Sequence, residues 1–541
     1  MAVNRALECY DILAEIFSHI NADYHHQAPV VPPDTTAILK KDLVSLACVN
    51  RAFSSHALDI LWQKIPSERV ALSVLPTFRA VSVIKFIPSD VASLIAYYES
   101  LKEDDREWQY TIDGEICPHE LERLRQYTIR VREVEWMLGE ERPGIRAPII
   151  RLVAERLGSP LFPNLSQLMW DGSDVLSSTG DVGSVLPATA GTNLHNLTVQ
   201  LPKWSEVDEI EQELTVITTW FPYIQELNLR MSGWDSESPS WNPVVVASLI
   251  AALRHLDTVE LDIDHLDDEL IDALAALPHL TSVLLDTYQG SHRAPLRGSY
   301  RCFRALRTLD ITVKVCSEAE TLFQACKWPA LEDLRIRIHD DIHPGWASTF
   351  FELVAATFSK VPLRTLIMSG SYPRSSIPMA HVFSPFGSLC LLRSIVLHVY
   401  SKATFIGLRE VARHWPELVD FRLGRHSPRE SLQILLEVVS VCPLLRSAHF
   451  DNLMLPTSDL NLHGLSSHDL REVVFDRSGS QSSSEEIGRL AVVLESVFPN
   501  LNVQAHLEES LGRQQKGMWP MLLEEMDRIR QEKNSCDQPI P

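Results

Sequence analysis

The densest set of metal-capable side chains is Asp262, Asp264, Asp267, Asp268, Glu269 and Asp272. Carboxylates crowded like this could hold calcium, a hard cation that takes oxygen ligands. A calcium loop of the EF-hand kind also needs a glycine at its sixth position and a spaced glutamate, and neither is present. The stretch therefore reads as a solvated strand end followed by a helix start. His339-Asp340-Asp341-Ile342-His343 offers imidazole and carboxylate, but Pro344-Gly345 follows and no third ligand is evident. The nine cysteines are scattered without a CxxC pair and read as reduced core thiols. No GxGxxG, GxxxxGK[ST] or GxSxG occurs, so nucleotide binding and serine hydrolysis have no motif support. The expectation is a non-enzymatic chain with no catalytic residues, metal or cofactor.

Charged residues recur in another way, inside a pattern that repeats along most of the chain: L-x-x-L-x-L with apolar substitutions. Copies begin at Val131, Leu165, Leu194, Ile224, Leu256, Leu280, Leu306, Leu331, Leu363, Leu392, Leu418, Leu445 and Leu470, with a worn one near Leu501. The spacing averages about 28 residues. The x-L-x-L portion alternates with period two and predicts a short strand with one buried face. The following stretch takes a helical period, as in Leu270/Ile271/Leu274 and Leu432/Leu435/Leu436/Val439. A proline then stands before many of the next strands, among them Pro222, Pro278, Pro329, Pro416 and Pro443. Proline cannot continue a helix and biases its predecessor toward extended backbone, so it marks the helix-to-strand turn. No unit can bury its apolar face alone, so stacked neighbours must supply the core.

These units resemble leucine-rich repeats over roughly residues 125–508. The resemblance implies an α/β fold, an irregular solenoid with parallel strands on one side and helices on the other. The residues between the leucines then face the open strand surface. Those positions are acidic in the middle units, with Glu226, Glu260, Asp262, Asp286 and Asp310, opposed by Arg230. Later units place Arg335, Arg337 and Arg422 there, beside Asp333 and Asp420. The candidate substrate-binding residues are Glu260, Asp262, Asp286, Asp310, Arg335, Arg337 and Arg422. A substrate segment would lay a basic stretch over the middle units and an acidic or phosphorylated group near the later arginines. The alternative is an ordinary solvated face.

Residues 6–64 lie outside the repeat. Ile12, Leu13, Ile16, Phe17 and Ile20 share one helical face, and a second helix carries Leu43, Leu46, Phe53, Leu61 and Trp62. Sixty residues with a polar middle give a thin core, so surplus apolar surface predicts a partner. The runs Ala6-Leu7…Asp11-Ile12-Leu13-Ala14-Glu15-Ile16-Phe17 and Leu43-Val44-Ser45-Leu46-Ala47-Cys48-Val49-Asn50-Arg51-Ala52-Phe53…Leu61-Trp62 resemble an F-box. With irregular leucine-rich repeats behind it, the chain is similar to fungal F-box proteins. The resemblance implies docking on a Skp-type adaptor of a cullin ubiquitin ligase, with the repeats holding an unknown protein substrate. Ile16, Phe17, Leu46, Phe53, Leu61 and Trp62 are the candidate adaptor-binding residues. The other reading is a leucine-rich-repeat binding scaffold without a ubiquitin role.

The expected division is an F-box-like module at 1–66, a helical spacer at 67–124, the repeats at 125–508 and a capping tail at 509–541. Within the tail, Met521, Leu522, Met526 and Ile529 form an amphipathic stretch. Lysine and arginine total 49 against 71 aspartate and glutamate, a formal charge of −22. A net acid repels phosphate backbones, and no long basic run interrupts it, so no nucleic-acid partner is expected. No apolar run approaches the length of a membrane helix, and no leader pattern opens the chain, so the expected location is cytoplasmic or nuclear, without a membrane partner.

Overall fold

The computed structural model describes Leu13, Glu15 and Phe17 and residues 33–83, 107–135, 147–171, 182–201, 215–231, 243–263, 265–287, 301–341, 344–371, 384–399, 408–424, 431–453, 467–478, 484–503 and 518–536. The strands are β1 (Lys64–Ile65), β2 (Phe78–Val83), β3 (Glu107–Ile112), β4 (Glu133–Glu135), β5 (Gln167–Asp171), β6 (Asn196–Leu201), β7 (Glu226–Met231), β8 (Thr258–Ile263) and β9 (Ser282–Thr287). They continue as β10 (Arg301–Cys302), β11 (Thr308–Val313), β12 (Cys326–Lys327), β13 (Asp333–Asp341), β14 (Thr365–Ser371), β15 (Ser394–Val399), β16 (Asp420–Gly424), β17 (Ser447–Leu453) and β18 (Glu472–Ser478).

The chain falls into two compact units, Met1–Glu260 and Leu261–Pro541. In the first, β1 pairs with β4 and the ladder runs on in parallel through β5, β6 and β7. In the second, β9, β11 and β13 to β18 pair in parallel, each with the next. The register is the one that the leucine pattern demands. Leu309 stands opposite Leu334 and Val283, and Ile336 opposite Met368 and Ile311. The apolar residues of the pattern from Val131 to Phe475 are buried wherever their side chains are described.

Helices return the chain between strands, as at Asp268–Ala276, Cys316–Ala325, Pro344–Phe358 and Ser431–Val439. Asp267 starts the first of these by accepting from the Glu269 amide at 2.9 Å, which satisfies an otherwise orphaned donor. Behind the second unit's strands, Phe323, Phe350, Phe351, Phe358 and Phe386 form a chain of ring contacts with centroids 5.2–6.4 Å apart.

Outside the strands a second ladder ties the turns together. In successive repeats of either unit one carbonyl accepts two amides from the repeat that follows: Arg364 O takes Arg393 N at 2.7 Å and Ser394 N at 3.0 Å. The same geometry joins Arg132, Ser166, His195 and Gln225 in the first unit. It answers the polar-backbone requirement of a turn that is half-buried between stacked repeats.

Four expectations need correction or extension. The sheet holds a strand ahead of the first repeat, β1, which continues directly from the helix Arg51–Gln63. Two residues are too few to show a period. Residues 67–124 carry, besides the helix Glu68–Leu72 and the start of the helix Pro118–Thr128, an antiparallel pair, β2 with β3. The worn copy at Leu501 forms no strand among the described residues. Leu501 and Val503 are still buried, and Asn502 N donates to Arg471 O at 2.9 Å, so it closes the ladder as a turn. In the C-terminal helix Met518–Cys536, Leu522, Leu523 and Met526 are buried while Met521 is exposed.

Candidate functional site

The N-terminal helices Pro33–Ala47 and Arg51–Gln63 pack on a core of Leu13, Phe17, Leu43, Ala57 and Ile60. Asn50 caps the second helix by accepting from the Phe53 amide at 3.0 Å. Phe17 is 3% exposed, with its ring against Phe53 and His56, so it faces this core. Leu46, Phe53 and Leu61 are half-buried against the same cluster. Trp62 turns the other way and lies on Tyr127, centroids 4.6 Å apart. Ile16 lies outside the described residues. Among the described residues of this module, the large apolar side chains most open to solvent are Val44, 54% exposed, and Val49, 61% exposed. They escape a helical-period search because Val44 sits about 100° from Leu43 and Val49 lies in the turn between the helices.

This small core is joined to the start of the sheet. Arg130 bonds Ser55 O at 3.1 Å and pairs with Asp59. Arg132 N donates to Gln63 O at 2.8 Å, and Lys64 pairs with Glu133 and Glu135.

On the strand face, the predicted charges turn out to be engaged with one another. Glu260 accepts from Asn228 Nδ2 at 2.6 Å and Arg230 Nη2 at 3.0 Å. Asn196 likewise donates to Glu226, its partner in register, at 2.7 Å. Burial, then the nearby Asp257, holds the Glu226 carboxyl above its ordinary range. In the second unit Asp310 is only 5% exposed. It takes Arg337 at 3.0 Å and lies 3.9 Å from Arg335 on the neighbouring strand. Residues assigned to separate acidic and basic stretches thus form one cluster. Asp262 and Asp286 are half-buried. Arg422 stays apart from that cluster, pairing with Asp420 of its own strand at 3.0 Å.

The metal-capable stretch is put to structural use. Asp267 is the cap already described, and Asp268 and Asp272 clasp the buried Arg301, each at 2.5 Å. The Asp272 hydrogen bond is the main reason the guanidinium holds its proton more tightly than usual. Asp264 and His343 lie outside the described residues. Of the tryptophans near helix ends, Trp328 and Trp415 are buried, whereas Trp220 is 51% exposed and Phe221 takes the core position beside it. Burial pushes the thiols of Cys316, Cys326 and Cys442 up to about 12, which suits packing and not nucleophilic chemistry.

No family model matches the chain, and no curated protein is similar to it. Among solved structures it is similar to a leucine-rich-repeat protein of Leptospira interrogans, at 15% identity and TM-score 0.32, over 64% of this chain and 91% of that one. It is also similar to the plant peptide hormone receptor RGFR1 in complex with RGF2, at 15% identity and TM-score 0.29, over 71% of this chain. There it spans about half, 52%, of the receptor chain. Both superpositions are loose, so the architecture stands on this chain's own strand order and register. Parallel strands in sequence order, a leucine pattern buried in register and returning helices make this a leucine-rich-repeat fold.

Proposed function

We propose that this chain binds proteins through its repeats and docks a Skp-type adaptor of a cullin ubiquitin ligase through its N-terminal helices, as the substrate-recognition subunit. What supports the protein-binding part is the fold itself: a long open strand face lined with polar side chains. The observation that carries the adaptor part is the pair Val44 and Val49, apolar and exposed on the first helix and on the turn that leads to the second, which is bound to the first strands of the sheet. The exposed valines offer an apolar contact. The ties through Arg130, Arg132 and Lys64 would transmit the adaptor's position to the first repeats. The contribution to ubiquitin transfer would be proximity, with the chemistry supplied by other subunits.

The test is co-purification of the full chain with a Skp-type adaptor, compared with Val44→Asp plus Val49→Asp. Those side chains do not support the helical core, so the variant should keep its melting temperature and lose at least about tenfold in adaptor affinity. An adaptor that never binds the unaltered chain removes the ubiquitin role and leaves a protein-binding scaffold.

A further inference from the structure

The sequence holds no long basic run, yet the second unit assembles a basic ridge. The residue after the first apolar position of each pattern lies in the turn that leads into the strand. In the turns of this unit from β9 to β18 that residue is Thr281, Arg307, Glu332, Arg364, Arg393, Val419, Arg446 and Arg471. The bifurcated carbonyl ladder passes through every one of them, which fixes their order and spacing. Five arginines that are 25 to 57 residues apart in sequence thus stand on one edge of the sheet.

Stability does not account for them. Arg307, Arg364, Arg393 and Arg471 have side chains 52–66% exposed, with carboxylates nearby at Glu332, Glu417 and Asp469. Exposed pairs of this kind are screened by solvent and contribute little to stability. Among the described residues of these turns, five arginines thus stand against the three carboxylates that pair with them, on a chain whose formal charge is −22. Two exposed leucines share these turns: Leu391 and Leu444, each two residues before an arginine of the ridge.

We infer that this ridge, which is separate from the adaptor surface, binds an acidic protein segment in extended form. Arg364 and Arg393 stand on consecutive turns, as do Arg446 and Arg471. With strands about 4.8 Å apart, the two pairs are centred roughly 14 Å from each other. An extended chain rising about 3.4 Å per residue covers that in about four residues. Each pair takes one acidic side chain, and Leu391 and Leu444 take apolar neighbours of those acids. A nucleic acid fits worse, because Glu332, Glu417 and Asp469 would repel a continuous phosphate backbone and the leucines would have no match.

The experiment uses the full chain and a fluorescent acidic peptide of about twelve residues, with glutamate pairs about four residues apart and a leucine beside each pair. Anisotropy is read at roughly 50 mM salt, where surface charges are weakly screened. Arg364→Glu with Arg393→Glu, and Arg446→Glu with Arg471→Glu, should each weaken binding about tenfold or more. The matching glutamine pairs, whose melts serve as the folding check, should show smaller losses in the same order. Arg413→Glu with Arg489→Glu, placed on the helical side, should change affinity less than about twofold. A peptide of scrambled spacing should bind more weakly than the paired one. The inference fails if the unaltered chain does not bind the peptide or if the helical-side variant loses as much. It also fails if a single-stranded oligonucleotide of equal charge binds as tightly.

Discussion

Glu68 sets a pH dependence that a single residue can test. It opens the short helix Glu68–Leu72, is 4% exposed, and its Oε2 has no hydrogen-bond partner. Burial pushes its carboxyl up to about 7. The folded chain therefore holds this proton more tightly than the unfolded one. Its favourable contribution is complete below the ordinary carboxylate range and is lost as pH rises through about 7. The span of that shift corresponds to about 3 kcal/mol. Glu68→Gln should match the unaltered chain at pH 5 and melt several degrees higher at pH 8. Parallel melting curves at the two pH values for both proteins would contradict the assignment.

At the scale of the strand, Gly424 shows how register creates a requirement. It stands opposite His398 in the β15–β16 pair, and a methyl group there would overlap the His398 imidazole. The obstacle is a side chain that can be removed. Gly424→Ala should cost on the order of 1–3 kcal/mol, and adding His398→Ala should recover most of it, measured as a double-mutant cycle in denaturant. Gly191 gives the contrast. Its methyl would meet the Pro163 carbonyl, which is backbone, so no neighbouring truncation should rescue Gly191→Ala. Additive losses at Gly424 and His398 would show that the ring does not occupy the space a methyl needs.

For the molecule as a whole, the vulnerable places are the ends of the sheet. A repeat array needs a cap because its last unit has no successor to bury its face. The helix Met518–Cys536 supplies one. Trp519 meets Phe475 edge-on at 4.8 Å, and Leu522, Leu523 and Met526 are buried. Arg530 bonds Glu495 at 2.8 Å and the carbonyls of Phe498, Pro499 and Leu501 at 3.3, 3.0 and 2.7 Å. It does for the last turn what the next repeat's amides do elsewhere. Removing residues 518–541 should expose Phe475, increase binding of a hydrophobic dye and speed amide exchange first in β18 and β17. Exchange that accelerates evenly across all the strands of the second unit would argue against stepwise opening from this end.

The sequence by itself determined where the strands begin and which side chains point inward. Side-chain direction follows local period, two for a strand and 3.6 for a helix, and needs no knowledge of the partner. That is why the leucine pattern from Val131 to Phe475 found the buried face, and why the prolines found the turns. It also placed an apolar core in the N-terminal helices, though not the valines that face away from it. Only the tertiary structure decided what stands beside what. Asp310 and Arg337 are 27 residues apart, and nothing local says that they meet. The pairing of β1, the seat of His398 over Gly424 and the arginine ridge are likewise products of register, because neighbours across a parallel sheet are a whole repeat apart in the chain. Period is written in the residues that show it, whereas adjacency depends on how many residues each intervening loop and helix uses to return.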